Sequence, residues 1–442
     1  MAPTRPFHWE YQAPLVPQEA IRIEGGQPLR GEVPISGSKN AALKLLAAAT
    51  LTGERCRFTN VPEIADVTLM AEVLGDLGVV VDHLEPNTYE VSAGDVDWLF
   101  VPLEAAARMR ASFILLGPLL ARFGRVIISN PGGDRIGRRP VDLHVEAMQA
   151  LGAHIDYRNG YYLAEAPGRL RGGEVIFPHV TVMGTENAML AATLADGHTT
   201  IRPAAREPEI DDLIGFLQAM GAEVERTSPD VIEVEGRRRL RGATHHVIAD
   251  RIEAGTFAVA SAVTGGEVTL RGAPSAHLGA FLDVLDQVGV EVSGDGDRIT
   301  VRGAEPGSDA YAATAIETAA YPGLATDLQP PTGVLLTQAR GPSTVHETIY
   351  EDRLEWLSDL GQMGAKAEIQ DAHHAVITGP SRLHGSEVEV GDLRAGASLI
   401  LGALAAEGQS TIRGVHHVRR GYEGIEGKLL DLGARIEQDP ER

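Results

Sequence analysis

The phrase "LGDLGVVVD" (residues 74–82) decides the fold, because five close variants of it follow along the chain. Each copy joins the end of an amphipathic helix to an alternating strand through a glycine that can adopt the left-handed conformation of a helix C-cap. The six glycines are Gly78, Gly152, Gly221, Gly289, Gly364 and Gly433. The sequence therefore predicts that a helix passes directly into a strand six times.

A second motif recurs in phase with the first. "LLAAATLTG", "LLGPLLARFG", "MLAATLADG", "AVASAVTGG", "VLLTQARG" and "LILGALAAEG" are apolar segments, mostly rich in small residues, that stop at a glycine. Small side chains on every face indicate a helix that is enclosed on all sides. Six units of about 70 residues account for nearly all of the 442 residues. This period exceeds that of the common solenoids, so we expect compact subdomains, three in each of two domains.

The grouping into domains follows from the chain ends. Two strand-like runs precede the first helix, and the last unit lacks an equivalent pair. We therefore expect the N-terminal strands to complete the C-terminal lobe, with a substrate cleft between the lobes. The predicted parts are an N-terminal tail (residues 1–20), a first domain (residues 21–38 and 248–442) and a second domain (residues 39–247) that carries a loop near residues 129–140.

Composition excludes several classes of partner. The net charge of -22 disfavours nucleic acid and anionic membrane surfaces. The single cysteine, Cys56, excludes a disulfide framework and a cysteine-based zinc site, and we expect neither a metal ion nor a cofactor. Because no apolar run is long enough for a membrane span and the N-terminus has no signal-peptide pattern, we expect a cytoplasmic protein. The sequence predicts no oligomeric state.

Eight segments, in order along the chain, carry a family resemblance. They are "ISGSKNAAL" (35–43), "MRAS" (109–112), "PGGDRIGRRPVDLH" (131–144), "AAREPEI" (204–210), "DRIEAGTF" (250–257), "TDLQ" (326–329), "DLRAGASL" (392–399) and "RRGYEGIEGKL" (419–429). Together they resemble the UDP-N-acetylglucosamine 1-carboxyvinyltransferases. The resemblance implies an α/β, EPSP synthase-like fold, a two-domain inside-out α/β barrel of six βαβαββ units.

The implied reaction transfers the enolpyruvyl group of phosphoenolpyruvate to the 3'-hydroxyl of UDP-N-acetylglucosamine and releases phosphate. This is the first committed step of peptidoglycan synthesis. Both substrates carry several negative charges, which explains clustered arginines in an acidic chain. The implied partners are therefore these two small molecules.

The resemblance also implies the roles of individual residues. Catalytic roles fall to Lys39, Asp134, Asp327 and Arg420. Lys39, Arg139 and Arg420 are implied ligands of phosphoenolpyruvate, which Arg353 and Arg394 join as the lobes close. The other implied substrate-binding residues are Asn40, Arg110, Pro140, Val141, Asp142, Leu143, His179, Val180, Thr181, Val182 and Ile349. Two positions depart from the family pattern: His179 stands where lysine is common, and Met183 where glycine is common.

"SGSKN" (36–40) has a physical interpretation of its own. It forms a turn ahead of an alanine-rich helix. Unpaired backbone N–H groups and the helix dipole at such a position favour an anion, and Lys39 adds a full positive charge. As a pattern alone, however, this is an ordinary helix cap; it is the resemblance that implies that Lys39 and Asn40 face the substrate.

Asp134 is the main departure from the family. Most members have a cysteine here, which serves as the general acid toward C3 of phosphoenolpyruvate and is alkylated by fosfomycin. An aspartic acid can donate the same proton, and the resemblance implies insensitivity to fosfomycin. Carboxyl groups are ordinarily ionised at neutral pH, and neighbouring Arg135, Arg138 and Arg139 favour the ionised form. We therefore expect Asp134 to act as an acid only in the closed ternary complex.

Three alternatives remain at this stage. An EPSP synthase has the same architecture, but the loop "PGGDRIGRRPVDLH" argues against it. A specialised enolpyruvyl transferase acting on a related nucleotide sugar is consistent with His179 and Met183. A non-catalytic UDP-N-acetylglucosamine-binding paralogue is disfavoured by the presence of Lys39, Asp327 and Arg420 together.

Overall fold

The computed structural model of the chain describes residues 19–134, 136–305 and 307–439. These residues form 24 strands and 13 α-helices, arranged in six four-stranded sheets. The predicted α/β fold of six repeated units is confirmed. Among the described residues, no helix is both long enough and apolar enough to cross a bilayer.

The first half of the chain contains three units, preceded by two strands. Its elements are β1 (Ala20–Glu24), β2 (Arg30–Pro34), α1 (Lys39–Ala48), β3 (Cys56–Thr59), α2 (Ala65–Asp76), β4 (Val80–Glu85), β5 (Thr88–Ser92), β6 (Phe100–Val101), α3 (Leu103–Ala106), α4 (Leu116–Phe123), β7 (Arg125–Ser129), α5 (Asp142–Ala150), β8 (His154–Arg158), β9 (Tyr161–Glu165), β10 (Glu174–Ile176), α6 (Val182–Ala192), β11 (His198–Arg202), α7 (Pro208–Ala219), β12 (Glu223–Ser228), β13 (Val231–Glu235) and β14 (Thr244–His246).

The second half repeats the pattern three more times. Its elements are α8 (Arg251–Val263), β15 (Glu267–Arg271), α9 (Gly279–Val288), β16 (Glu291–Asp295), β17 (Arg298–Arg302), β18 (Ala315–Glu317), α10 (Gln329–Leu336), β19 (Gly341–His346), α11 (Trp356–Gln362), β20 (Lys366–Ile369), β21 (His374–Gly379), β22 (Glu387–Glu389), α12 (Leu393–Ala405), β23 (Gln409–Arg413), α13 (Ile425–Asp431) and β24 (Arg435–Asp439).

Each sheet joins a parallel strand pair to an antiparallel pair, which is a hairpin in every sheet except the one that contains β1. The strand orders are β14-β3-β5-β4, β6-β7-β9-β8, β10-β11-β13-β12, β16-β17-β15-β2, β18-β19-β21-β20 and β22-β23-β1-β24. Strand β1 lies between β23 and β24, and β2 pairs in parallel with β15. The two N-terminal strands thus belong to sheets whose other strands come from the second half of the chain.

The six repeated glycines end the outer helices α2, α5, α7, α9, α11 and α13. All six have a left-handed backbone, with φ between 87° and 97°. The residue after each glycine donates its N–H to the carbonyl five positions earlier, as in Val79 to Leu74 (3.0 Å) and Ala434 to Leu429 (2.9 Å). This is the Schellman pattern, in which a left-handed residue satisfies the last carbonyls of a helix. The helix-to-strand transition predicted from the sequence is confirmed at every copy.

The small-residue helices lie inside the units. All 13 residues of α8 are buried, as are 12 of the 13 residues of α12. Helices α8, α10 and α12 pack on one another in one hydrophobic core, and α1, α4 and α6 belong to a second. The first core draws on residues 21–35 and 252–436, and the second on residues 41–247. The expectation of enclosed helices is confirmed.

The chain passes between the two cores twice, and the two crossings lie side by side. Gly37 forms an antiparallel bridge with Ala249. Ser38 donates its N–H to the Ile248 carbonyl at 2.7 Å. A Cβ at Gly37 would lie only 1.7 Å from the carbonyl oxygen of Asn60, so no larger residue fits. The crossings lead directly into α1 and α8, whose first turns therefore meet between the cores.

Two glycines, one inside helix α13 and one at its C-terminal end, test whether the repeated glycine is needed for its left-handed backbone. Gly433→Ala places a side chain on a left-handed backbone in otherwise open space, and we expect it to lower the free energy of unfolding by about 1–2 kcal/mol. Gly427→Ala, within α13 and also in open space, should instead raise it by up to about 1 kcal/mol. Chemical denaturation of both variants measures the difference, and equal effects would contradict this account of the repeat.

Candidate active site

A cavity of about 690 Å³ is lined by residues from both cores. Seventeen of the eighteen residues that the sequence assigned to a site line it, including Lys39, Asp134, Asp327 and Arg420. The exception, Val141, lines an adjoining pocket behind the loop that follows β7. The structure therefore brings together residues that are up to about 380 positions apart in the sequence.

The cavity is rich in charge of both signs. Among the described residues, nine lysine and arginine side chains and seven carboxylates line it. It thus has a positive surplus inside a chain of net charge -22. A low-dielectric cleft of this kind concentrates anionic ligands.

Lys39, the first residue of α1, lies at the floor of the cavity and is buried. Its Nζ is 2.8 Å from Oδ2 of Asp66. Burial lowers the pKa of Lys39, an effect that Asp66 opposes and that nearby Arg394 and Arg420 reinforce. Asp66 also accepts from Nε of Arg420 at 2.9 Å, so one carboxylate holds two of the predicted catalytic cations.

The start of α1 differs in detail from the expectation for "SGSKN". The Lys39 N–H donates to Oδ2 of Asp250 at 3.1 Å, and the Ala41 N–H donates to Oγ of Ser38 at 3.3 Å. Two of the N–H groups expected to be free are therefore already bonded. The attraction for an anion at this point comes from the Lys39 ammonium rather than from these backbone donors.

Asp134 lies on the loop between β7 and α5, which contains left-handed Gly133 (φ 110°) and Gly137 (φ 130°). Its carboxylate contacts the Arg420 guanidinium, and Arg139 donates to its backbone carbonyl. Arg420 comes from the far end of the chain, so the partner that the hydrogen bonds show for the Asp134 carboxylate is not one of the arginines of its own loop. Arg135 lies outside the described residues.

The tip of this loop reaches the other core. The Arg138 N–H donates to Oε2 of Glu351 at 3.2 Å, and the Asp352 N–H donates to the Ile136 carbonyl at 3.2 Å. The loop therefore spans the mouth of the cavity and places Asp134 against residues of the second half of the chain.

Asp327 is held by two arginines. Oδ1 accepts from Arg353 at 2.9 Å, and Oδ2 accepts from Nε of Arg394 at 3.3 Å. Burial raises the pKa of Asp327, but Arg394 and Arg353 outweigh it and bring the pKa down to about 2. Nε of Arg353 and Nη1 of Arg394 are buried and have no hydrogen-bond partner within the described part of the chain. Both arginines line the cavity, so these unpartnered donors lie close to its wall.

The family model for EPSP synthase (3-phosphoshikimate 1-carboxyvinyltransferase) matches residues 23–429. The chain belongs to this family. Curated relatives from Methylobacterium sp. (strain 4-46) and Solibacter usitatus are each 45% identical to it. The alignments cover 95% and 94% of this chain and 99% and 98% of the relatives, respectively. Both relatives are named UDP-N-acetylglucosamine 1-carboxyvinyltransferase.

Solved structures of the EPSP synthase family share the fold. The enolpyruvyl transferase NikO from Streptomyces tendae is 25% identical and superposes with a TM-score of 0.86 over 96% of this chain and 99% of its own. An EPSP synthase from Acinetobacter baumannii is 18% identical and superposes with a TM-score of 0.71 over 96% and 100% of the two chains. The EPSP synthase-like fold expected from the sequence is confirmed.

In this member of the family, the start of α6 also lines the cavity. Thr181 caps the helix by accepting from the Gly184 N–H at 3.3 Å, and His179 and Val180 before it are exposed. Asn187 fixes the helix from behind: its Oδ1 accepts from the Gly117 N–H at 2.7 Å, and its Nδ2 donates to the Phe113 carbonyl at 2.9 Å. The helix start is therefore rigidly placed.

Several lining residues were not singled out from the sequence. Glu207, Glu209 and Arg251 lie in the quoted segments "AAREPEI" and "DRIEAGTF", so those motifs could have located them. Asp66 and Glu186 lie in no segment that carried the resemblance. Only the fold places these two carboxylates at the cavity.

Asp66→Asn tests the carboxylate that holds Lys39 and Arg420. Removing one partner from a buried ion pair costs about 3–5 kcal/mol, and we expect a loss of this size in the free energy of unfolding at neutral pH. Lys39 and Arg420 lower the pKa of Asp66, so this contribution should disappear as the pH falls through the acid range. Asp76→Asn, at the exposed end of α2, is the control and should change little. A small effect of Asp66→Asn in urea denaturation would show that Lys39 and Arg420 do not depend on Asp66 to compensate their buried charges.

Proposed function

We propose that this enzyme transfers the enolpyruvyl group of phosphoenolpyruvate to the 3'-hydroxyl of UDP-N-acetylglucosamine, as a step of peptidoglycan synthesis in the cytoplasm. The observation that carries the proposal is the pair of arginines, Arg353 and Arg394, that line the cavity and hold Asp327, each with one buried donor that has no hydrogen-bond partner among the described residues. The names of the relatives at 45% identity support the same choice of substrates.

Phosphoenolpyruvate would bind among the cations that carboxylates hold in the free enzyme. Its phosphate and carboxylate would compete with Asp66 and Asp134 for Lys39 and Arg420, and with Asp327 for Arg353 and Arg394. Arginine forks are well suited to both kinds of anion. Arg139, which contacts the loop backbone at Asp134, would add a further donor.

Two carboxylates, those of Asp134 and Asp327, can carry the protons that the reaction moves. The 3'-oxygen attacks C2 of phosphoenolpyruvate as its proton passes to Asp327, while C3 takes a proton from Asp134 and becomes a methyl group. The tetrahedral intermediate then returns a C3 proton to Asp134 as the double bond re-forms, and phosphate leaves C2 as hydrogen phosphate with the proton that Asp327 had accepted. Lys39 and the arginines stabilise the departing phosphate.

Asp134 would gain its acid form through substrate binding. Its carboxylate is paired with Arg420 in the free enzyme. An anion that takes over Arg420 leaves the carboxylate without this partner, and water exclusion under the loop then favours the protonated acid. Asp134 would therefore take the place of the thiol that the family resemblance leads us to expect.

Asp327 would act first by orienting the 3'-hydroxyl. A carboxylate whose pKa is about 2 is a weak base in the free enzyme. If phosphoenolpyruvate draws Arg353 and Arg394 away, the base strength of Asp327 rises when the nucleophile is in place. The same arginines would thus bind one substrate and release the group that activates the other.

The nucleotide would lie along α6 and the loop. We infer that the diphosphate binds at the start of α6 near Thr181 and Val182, where backbone donors and the helix dipole attract anions. Arg110, which donates to the Pro140 carbonyl at 3.1 Å, would contact the same part of the ligand. We further propose that residues 21–38 with 248–442 and residues 39–247 move as two lobes about the paired crossings at Gly37 and Ala249.

A phosphate-release assay tests the proposal. The enzyme with phosphoenolpyruvate and UDP-N-acetylglucosamine should release one phosphate per sugar nucleotide consumed. Release with shikimate 3-phosphate instead would identify an EPSP synthase, and release only with another nucleotide sugar would identify a specialised transferase. Binding of UDP-N-acetylglucosamine without any release would identify a non-catalytic paralogue.

The identity of residue 134 gives a second prediction. A carboxylate is a weaker nucleophile than a thiolate, so activity should persist in fosfomycin, and Asp134→Cys should become sensitive. Cys56 serves as an internal control because it is buried and burial raises the pKa of its thiol to about 11. Asp134→Asn should lose most turnover but still bind UDP-N-acetylglucosamine. Rapid inactivation of the unmodified enzyme would overturn the assignment.

A further inference from the structure

Glu186, on α6, is a buried carboxylic acid at the wall of the cavity. Its side chain has no solvent exposure, yet it borders the cavity. Neither Oε1 nor Oε2 has a hydrogen-bond partner within the described residues. Leaving a buried polar group unpartnered is costly, so native proteins keep such groups where something else will pair with them.

In the free enzyme, the described groups around Glu186 do not supply the missing hydrogen bonds. Nζ of Lys44, on α1, is 3.6 Å from Oε1, too long for a hydrogen bond, and instead donates to the Asn40 carbonyl at 2.8 Å. Glu207 and Glu209 also face it, and neither can donate when ionised. Burial raises the pKa of Glu186 to about 7, an effect that Lys44 opposes and the two glutamates reinforce.

We propose that Glu186 is a sugar-binding residue, whose carboxylate accepts hydrogen bonds from hydroxyl or amide N–H groups of the sugar of the nucleotide substrate. This inference rests on the proposed function, because it assumes that a nucleotide sugar occupies the cavity. Its ligand is defined by chemistry: a neutral group that donates hydrogen bonds.

Position along α6 favours the sugar over the other parts of the substrates. Glu186 lies four residues beyond Val182, about 6 Å further along the helix axis than the proposed diphosphate site. In a nucleotide sugar, the sugar is attached to the diphosphate and extends from it by a comparable distance. Phosphoenolpyruvate carries only acceptor groups and negative charge, so a carboxylate beside Lys44 would repel it.

Hydrogen bonds of the neighbouring residue hold the backbone of Glu186 in place. The adjacent residue, Asn187, ties α6 to Phe113 and Gly117 through hydrogen bonds of 2.9 and 2.7 Å. The backbone of Glu186 is therefore held in place beside the cavity that this residue lines.

Calorimetric titration of the full-length protein tests this without requiring turnover. At pH 8, Glu186→Gln should weaken the binding of UDP-N-acetylglucosamine by about ten- to a hundredfold, which corresponds to the loss of one hydrogen bond to a charged group. UDP, which lacks the N-acetylglucosamine group, should bind both proteins equally. In the unmodified protein the sugar-specific part of the affinity should fall as the pH drops from 8 to 6, because Glu186 becomes protonated; the Gln variant should lose this dependence.

Thermal unfolding separates this role from a structural one. Glu186 has a raised pKa in the folded state, so its contribution to stability is lost as the pH rises through about 7. Glu186→Gln should therefore unfold at the same or a higher temperature than the unmodified protein at pH 8, and the difference should shrink toward pH 5. A glutamate that served only the fold would show the opposite change.

Asp212→Asn is the matched control. Asp212 is a buried carboxylate on α7 with one unpartnered oxygen among the described residues, but it pairs with His245 at 2.9 Å and does not line the cavity. Its replacement should lower stability and leave the affinity for UDP-N-acetylglucosamine unchanged.

The outcomes distinguish this inference from the proposed function. Unchanged affinity of Glu186→Gln, or an equal loss for UDP, would overturn the role of Glu186 even if the unmodified enzyme turns over both substrates. Weakened sugar binding without any phosphate release would support Glu186 while contradicting the proposed reaction. Failure of the unmodified protein to bind UDP-N-acetylglucosamine would overturn both.

Discussion

The pairing of the two chain crossings is the constraint on which the rest of the structure depends. Gly37 and Ala249 form a bridge between strands of chain that travel in opposite directions. Asp250 then caps α8 through the Ile252 and Glu253 N–H groups, and also accepts from the Lys39 N–H. One aspartate therefore fixes the first turns of two buried helices, and the floor of the cavity is built at this junction.

In the free enzyme, the charged side chains that line the cavity neutralise one another in ion pairs. Asp66 holds Lys39 and Arg420, Arg420 also contacts Asp134, and Asp327 holds the arginines at the opposite side. Buried pairs of this kind contribute little net stability, but leaving either partner alone is costly. In the proposed reaction, an anionic substrate replaces the carboxylates, and the released carboxylates become the acid and the orienting group. In this proposal, the free enzyme holds its catalytic groups in ion pairs.

The repeating architecture was predictable because it is local. Gly78, Gly433 and their counterparts signal a helix end within nine residues, and small residues on all faces signal an enclosed helix. The site was predictable only as far as the motifs reached. Its ion pairs were not, because they join residues such as Arg420 and Asp134 that lie 286 positions apart. Glu186 gave no signal at all, since its importance depends on the absence of a hydrogen-bond partner among the residues that the structure describes.

The central claim is that Asp134 delivers the proton to C3 of phosphoenolpyruvate. Incubation with both substrates in deuterium oxide tests it most directly, because the intermediate methyl group mixes solvent deuterium into the C3 position. Magnetic resonance of the product and of recovered phosphoenolpyruvate should show deuterium at C3 for the unmodified enzyme and little or none for Asp134→Asn. Undiminished incorporation by the Asn variant would show that another group is the acid.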